Sequence, residues 1–489
     1  MRSLVNRRQF LALAAASGLT TACGTAPPEP DPAPPVDVGT PLRVPPLLHP
    51  DPGPDGVRHY ELTLQAGETE ILPGKQTPTW GFNGPFLGPT LRAARGDRVR
   101  MSIRNTLGEA STVHWHGLRL PAAMDGGPHR PVDPGAEWTP EWEIDQPAAT
   151  AWYHPHPHGK TSLHLYHGLA GVFVIDDGPD AGLPSEYGVD DVPLILQDKM
   201  FAEDGSFSGD PLKGPFGILG DHVLVNGVYD PGFAVLTERV RFRVLNASNA
   251  RMYTLELSDR RHFQVVGNDR GLLGTPAEVD QVPLTPGERV EIVVAFTPGE
   301  QVVLRTVDNG LDIGKGDFDL LRLVTASELR PTPAPGEQIV PFTAITPAAD
   351  ARVRHFTLNA RDSINGRTMD MARIDEVVPT GAVEIWEVEN SASSHNFHIH
   401  EVSFQILDVA GTPPPAHSAG YKDTVFVPTR STVRLAVQFG RYADPGAPYM
   451  YHCHLLRHED AGMMGQFVIV EPGTEDTVSR TLLLAHPGH

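Results

Sequence analysis

Three stretches of this 489-residue chain repeat one pattern. They are Gly96-Asp97-Arg98-Val99-Arg100-Met101-Ser102-Ile103-Arg104-Asn105, Glu238-Arg239-Val240-Arg241-Phe242-Arg243-Val244-Leu245-Asn246 and Gly381-Ala382-Val383-Glu384-Ile385-Trp386-Glu387-Val388-Glu389-Asn390. Each alternates apolar and polar side chains and stops at an asparagine, and the asparagines are 141 and 144 residues apart. Alternation with period two is the mark of a strand with one buried face. A second alternating element follows in each copy, at 135–144, 287–294 and 431–437. Glycine and proline number 48 each, which suits many short strands joined by turns, and helix signals are weak. The reading is an all-β chain of three tandem β-sandwich domains, expected over 56–178, 179–335 and 336–489. The second boundary falls in the proline-rich stretch 330–335.

The histidines are shared out unevenly among the copies. Copy one has His114-Trp115-His116 just after its asparagine strand and His154-Pro155-His156 later; copy three has His398-Ile399-His400 and His452-Cys453-His454 at the matching places. Copy two has Ala247-Ser248-Asn249 and Thr306-Val307-Asp308 there, with no histidine, and reads as a spacer. On a strand the two imidazoles of a His-X-His pair face one side and the residue between them faces the other. Four such pairs predict eight imidazoles meeting between copies one and three, more than one four-coordinate zinc takes and suited to several copper ions. Cys453, on the opposite face, with a histidine and a methionine beyond it, has the parts of a blue-copper site. The stretch from 451 to 464 thus joins two metal centres through adjacent residues. His158, His164 and His167 match no paired position and read as supporting or surface groups. Met464 reads as packing.

These segments are similar to the signature segments of the multicopper oxidases, in particular three-domain bacterial laccases and periplasmic copper-efflux oxidases, over about residues 57–472. The resemblance implies three cupredoxin-like Greek-key domains and four copper ions. It implies a type 1 copper on His395, Cys453, His458 and Met463, and a type 2 copper on His114 and His398. The type 3 pair falls to His116, His154, His156, His400, His452 and His454. It further implies that Asp125 and Glu459 lie near the cluster as proton carriers. The implied activity couples one-electron oxidation of phenols and aromatic amines to four-electron reduction of O2 to water. The first alternative is oxidation of cuprous ion for copper tolerance; the second is a non-catalytic scaffold in the cell envelope. Efflux-type relatives carry a methionine-rich insert, whereas residues 362–378 here offer only Met369 and Met371 around Asp370. That predicts an open type 1 edge at His458 or His395.

The amino terminus reads as an export leader. Asn6-Arg7-Arg8-Gln9-Phe10-Leu11 carries a twin arginine before an apolar run too short to span a bilayer, which predicts twin-arginine export to the periplasm or cell surface. Thr21-Ala22-Cys23-Gly24 fits a lipoprotein cleavage site except that Thr20 stands where leucine is usual, so lipid anchoring at Cys23 and simple release remain alternatives. The leader is read as 1–24 and a proline-rich tether as 25–55. The only cysteines are Cys23 and Cys453, so the folded body has no disulfide to form. A formal charge of −21 argues against nucleic acid as a partner. O2 and small reductants are the expected partners of a monomer.

Overall fold

The computed structural model describes residues 36–53, 55–178, 182–358 and 360–483. The leader, Cys23 and residues 25–35 of the expected tether lie outside the described residues. No helix among those described is long and apolar enough to cross a membrane. The described residues form six sheets, and each draws its strands from a single span: two from 51–176, two from 191–330 and two from 353–470.

The repeated alternating elements pair with one another in every copy. Strand Arg98–Asn105 runs parallel to Arg58–Glu70 and antiparallel to Glu137–Trp138 and Glu141–Glu143. Strand Arg239–Asn246 does the same with Asp191–Lys199 and Arg289–Ala295, and Val383–Asn390 with Val353–Leu358 and Ser431–Gln438. The terminal asparagine has a physical reason. Each is fully buried, and its amide oxygen accepts from the backbone N–H two residues on: Leu107, Ser248 and Ala392. Its amide nitrogen donates to two carbonyls, Val132 and Glu109, Leu284 and Arg251, or Val427 and Ser393. Only an Asx side chain closes that turn on itself, and only the amide also supplies two donors.

In copies one and three the turn delivers the chain to a second sheet that carries the histidines. Strand His114–His116 pairs with Ala149–His154, His114 opposite His154; strand His395–Ile399 pairs with Tyr449–His452, His398 opposite His452. Alternation alone does not aim the pairs, however. Only His114–His116 lies wholly within a strand, and the other three straddle strand ends at His154, Ile399 and His452. After His454 the chain forms a short helix, Leu456–Asp460, which the weak helix signal did not predict and which carries His458 and Glu459. A second short helix, Thr161–His167, lies against it. Each copy has its own apolar core; that of copy three includes Trp386, Phe397, Cys453 and Met463.

Candidate metal centres

Eight imidazoles from copies one and three meet where the two histidine-bearing sheets face each other, all of them buried. Within each His-X-His pair the ring centroids are 5.0–6.1 Å apart. Across the copies, His114 stacks on His400 and His116 on His398, both at 3.8 Å. Burial, reinforced by mutual repulsion, holds His116, His154, His400 and His454 well below the ordinary histidine range; it brings His156 to about 3 and His398 to about 4. These rings are neutral at neutral pH, as metal ligands must be.

For six of the eight rings the hydrogen bonds decide which nitrogen faces inward. His114 Nδ1 donates to the Asp125 carbonyl at 3.0 Å and His398 Nδ1 to the Asp423 carbonyl at 2.8 Å, which leaves both Nε2 atoms buried without a partner. His154 Nδ1 donates to the Pro155 carbonyl and His400 Nδ1 to Asp125 Oδ2, both at 2.8 Å. His452 Nδ1 is 3.2 Å from both the Cys453 carbonyl and Glu459 Oε2, with hydrogen-bond geometry to the carbonyl. His116 is reversed: Nε2 faces Asp423 Oδ1 at 3.1 Å, so Nδ1 points inward. Lone pairs therefore meet head to head. His452 Nε2 lies 3.2 Å from His400 Nε2, and His116 Nδ1 lies 3.4 Å from His154 Nε2. Facing lone pairs with no proton between them repel unless a cation sits among them, so the residues fit a cluster of metal ions.

Nearby, Cys453 Sγ lies 3.6 Å from Nδ1 of His395 and of His458. Burial pushes the Cys453 thiol up to about 12, so only a bound cation would displace its proton near neutral pH. Met463 is buried in the same core, and its carbonyl accepts from Cys453 N–H at 3.2 Å. Asn396, which sequence reasoning passed over, anchors this corner. Its Oδ1 accepts from His454 N–H at 2.8 Å and lies 3.6 Å from Cys453 Sγ, while its amide donates to the Pro286 carbonyl of copy two.

Both acids expected near the cluster are there and buried. Asp125 holds His400 and lies 3.4 Å from His114; Glu459 lies 3.5 Å from His156 Nδ1. The neighbouring histidines hold both carboxyls below their usual range despite burial. The three histidines set aside stay outside the cluster. His158 is exposed, His164 Nδ1 bonds Ser111 Oγ at 2.9 Å, and His167 stacks on Trp80.

Two expectations need correction. No type 1 edge is exposed: His395 and His458 are both fully buried, because His458 Nε2 donates to the Pro215 carbonyl of copy two at 2.8 Å and Phe216 packs beside it. Copy two is therefore more than a spacer, although it brings no histidine to either group. The opening lies one residue further out. A hollow of about 970 Å³ is lined by Ser394 and Arg457, the chain neighbours of His395 and His458, and by Arg361, Asp362 and Leu311 among others. Met369 and Met371 do not line it.

Two family models, each of a multicopper oxidase, match residues 63–180 and 342–473. The chain is 35% identical over 420 residues to the multicopper oxidase mco of Staphylococcus haemolyticus, covering 85% of this chain and 89% of that one. It is 36% identical over 479 residues to the cell division protein FtsP of Salmonella typhimurium, covering 95% and 98%. Among solved structures it is similar to the laccase-like multi-copper oxidase CueO of Ochrobactrum sp., described as having oxidase activity towards lignin model compounds and lignosulfonate. That likeness is 38% identity with a TM-score of 0.81, over 88% of this chain and 100% of that one. The fold, the buried histidine and cysteine groups and these likenesses agree: the chain belongs to the multicopper oxidase family.

Proposed function

We propose that this protein is a laccase-type oxidase, which oxidises phenols and aromatic amines one electron at a time and passes four electrons to O2, giving water. The observation that carries the reading is the position of Cys453. Its thiol belongs to the His395–His458 group, while its two chain neighbours, His452 and His454, belong to the eight-imidazole cluster. A thiol with two imidazoles suits a blue copper, and the imidazole cluster suits further copper ions. In this reading His395, Cys453, His458 and Met463 hold type 1 copper, and His114 and His398 hold type 2. The type 3 pair is held by His116, His154, His156, His400, His452 and His454. Copper bound there would supply single-electron acceptance at the thiolate and storage of the electrons that O2 reduction needs.

The chain's own groups do the rest. Asp125 and Glu459 each touch cluster imidazoles and each keep a carboxylate oxygen without a hydrogen bond, and we assign proton delivery to them. The hollow supports an organic reductant. It is lined by a chain neighbour of each proposed type 1 histidine, Ser394 and Arg457, and has no thioether in its wall, where cuprous ion would want one. The twin-arginine leader adds export in the folded state to this reading.

A second reading, a non-catalytic role in cell division, is favoured by the likeness to FtsP; the complete set of buried ligand residues favours the oxidase. Steady-state oxidation of a substituted phenol and of cuprous ion, each in copper-free buffer and again with excess copper, decides among the three. The proposal expects a blue protein that oxidises the phenol without added copper and consumes O2. Phenol oxidation that appears only with added copper would make it a metallo-oxidase, and a colourless protein that takes up no O2 would make it a scaffold.

A further inference from the structure

Arg289 belongs to copy two, yet it sits at the junction of all three copies with no exposed surface. A guanidinium has five N–H donors, and here all five are used. Nε donates to the Thr150 carbonyl of copy one at 2.9 Å. Nη1 donates to the Gly287 carbonyl and to Asp423 Oδ1, and Nη2 to the Asp269 carbonyl and to Asp423 Oδ2, at 2.6–2.8 Å. Asp423 is thereby held in a two-pronged pair, the geometry in which a carboxylate has least freedom. Both carboxylate oxygens of Asp423 thus accept from one guanidinium.

A carboxylate paired in this two-pronged way can only accept. Asp423 Oδ1, 3.1 Å from His116 Nε2, therefore requires the proton of that ring on Nε2 and turns Nδ1 inward, opposite to the other rings whose orientation is set. The backbone carbonyl of the same residue fixes His398 through Nδ1. One aspartate thus sets an imidazole of copy one and another of copy three, and copy two holds the aspartate. The surrounding backbone is shaped for the guanidinium. Gly117, next to His116, has φ +88°, and a Cβ there would come within 2.4 Å of Arg289 Nη2. Gly287, at φ +85°, lies so close to His454 that a Cβ would meet the ring at 2.9 Å.

We propose that Arg289 is a positioning residue of the cluster: acting through Asp423, it selects the nitrogen that His116 offers, so that loading of the cluster depends on the copy that carries no ligand. This rests on the copper assignment made under the proposed function. The alternative is a brace that merely holds the copies together. Arg243 serves as the control, because it is another buried arginine of copy two that bonds copy one, at Thr150 Oγ1, without touching Asp423 or the cluster rings.

The test compares Arg289→Gln, Asp423→Asn and Arg243→Gln, with copper per chain, blue absorption and the electron paramagnetic resonance of the cluster measured on each. Removing a group that orients a ligand lowers metal affinity by about 10–100-fold. The expected result is that Arg289→Gln and Asp423→Asn lose cluster copper and its signals, keep the blue band, and differ in this from Arg243→Gln. Asp423→Asn keeps the side-chain volume, so it remains informative where Arg289→Gln fails to fold. Full copper with unchanged cluster signals in Asp423→Asn overturns the proposal, as does the same selective loss in Arg243→Gln or equal loss of blue band and cluster copper. A wild-type chain that binds no copper would instead sink the oxidase reading itself.

Discussion

At the scale of the residue, Cys453 ties the chemistry together because nothing else in the chain can replace it. It is the one cysteine among the described residues, it lies between two cluster histidines, and its buried thiol is held in contact with His395, His458 and Asn396. Serine would keep the volume but supply neither a soft ligand nor a route for charge. Cys453→Ser is accordingly expected to abolish the blue absorption and nearly all substrate oxidation while the eight imidazoles still take up copper; absorption spectra with copper analysis check this. A blue Cys453→Ser protein would place the blue site elsewhere. The cysteine and its flanking histidines were legible in the sequence because their spacing carries the chemistry. Asn396 was not, since a lone asparagine between ligands has no meaning until it is seen bonding His454 and Pro286.

At the scale of the element, the recurring unit is a strand closed by a buried asparagine. Asn246 and Asn390 make equivalent hydrogen bonds, but the second leads directly into the strand that starts at His395. Replacing either by alanine strands a buried N–H and two carbonyls, at a cost of about 2 kcal/mol or more. Both variants should lower the thermal unfolding midpoint. Only Asn390→Ala should also lose blue colour, because its turn positions His395, proposed above as a ligand of the blue copper; calorimetry and absorption on the same samples test the contrast. The alternation that revealed these strands also has a limit. Three of the four histidine pairs run past a strand end, and His458 and Glu459 ride on a five-residue helix too short to leave a periodic signal.

At the scale of the whole molecule, a chain of charge −21 keeps two guanidiniums, Arg361 and Arg457, in the wall of the hollow beside the His395–Cys453–His458 group. Neither has an ion-pair partner among the described residues, whereas Asp312 on the same wall lies 3.3 Å from Lys315. Burial brings His458 down to about 4; both arginines act on it in the same direction, and the Pro215 carbonyl and Asp362, on the same wall, oppose them. A phenol bearing a carboxylate should therefore bind better than its neutral counterpart. Arg361→Gln is expected to raise KM for the carboxylated phenol by about 2–5-fold, the worth of one exposed ion pair, with the neutral phenol unaffected. Steady-state kinetics at low and high salt measure it, and equal changes for the two phenols would discount charge as the cause.

The sequence by itself determined the three-fold repeat, the unequal sharing of histidines and the identity of the residues that gather at the two centres. Those follow from local alternation and from spacing that chemistry constrains. Only the tertiary structure decided which nitrogen each imidazole presents, that Pro215 closes over His458, and that Arg289 reaches Asp423 across the copies. The contacts of His116 and Arg289 with Asp423, of His400 with Asp125 and of His458 with Pro215 join residues more than 100 positions apart, and no local pattern records which distant carbonyl or carboxylate a buried polar group will find.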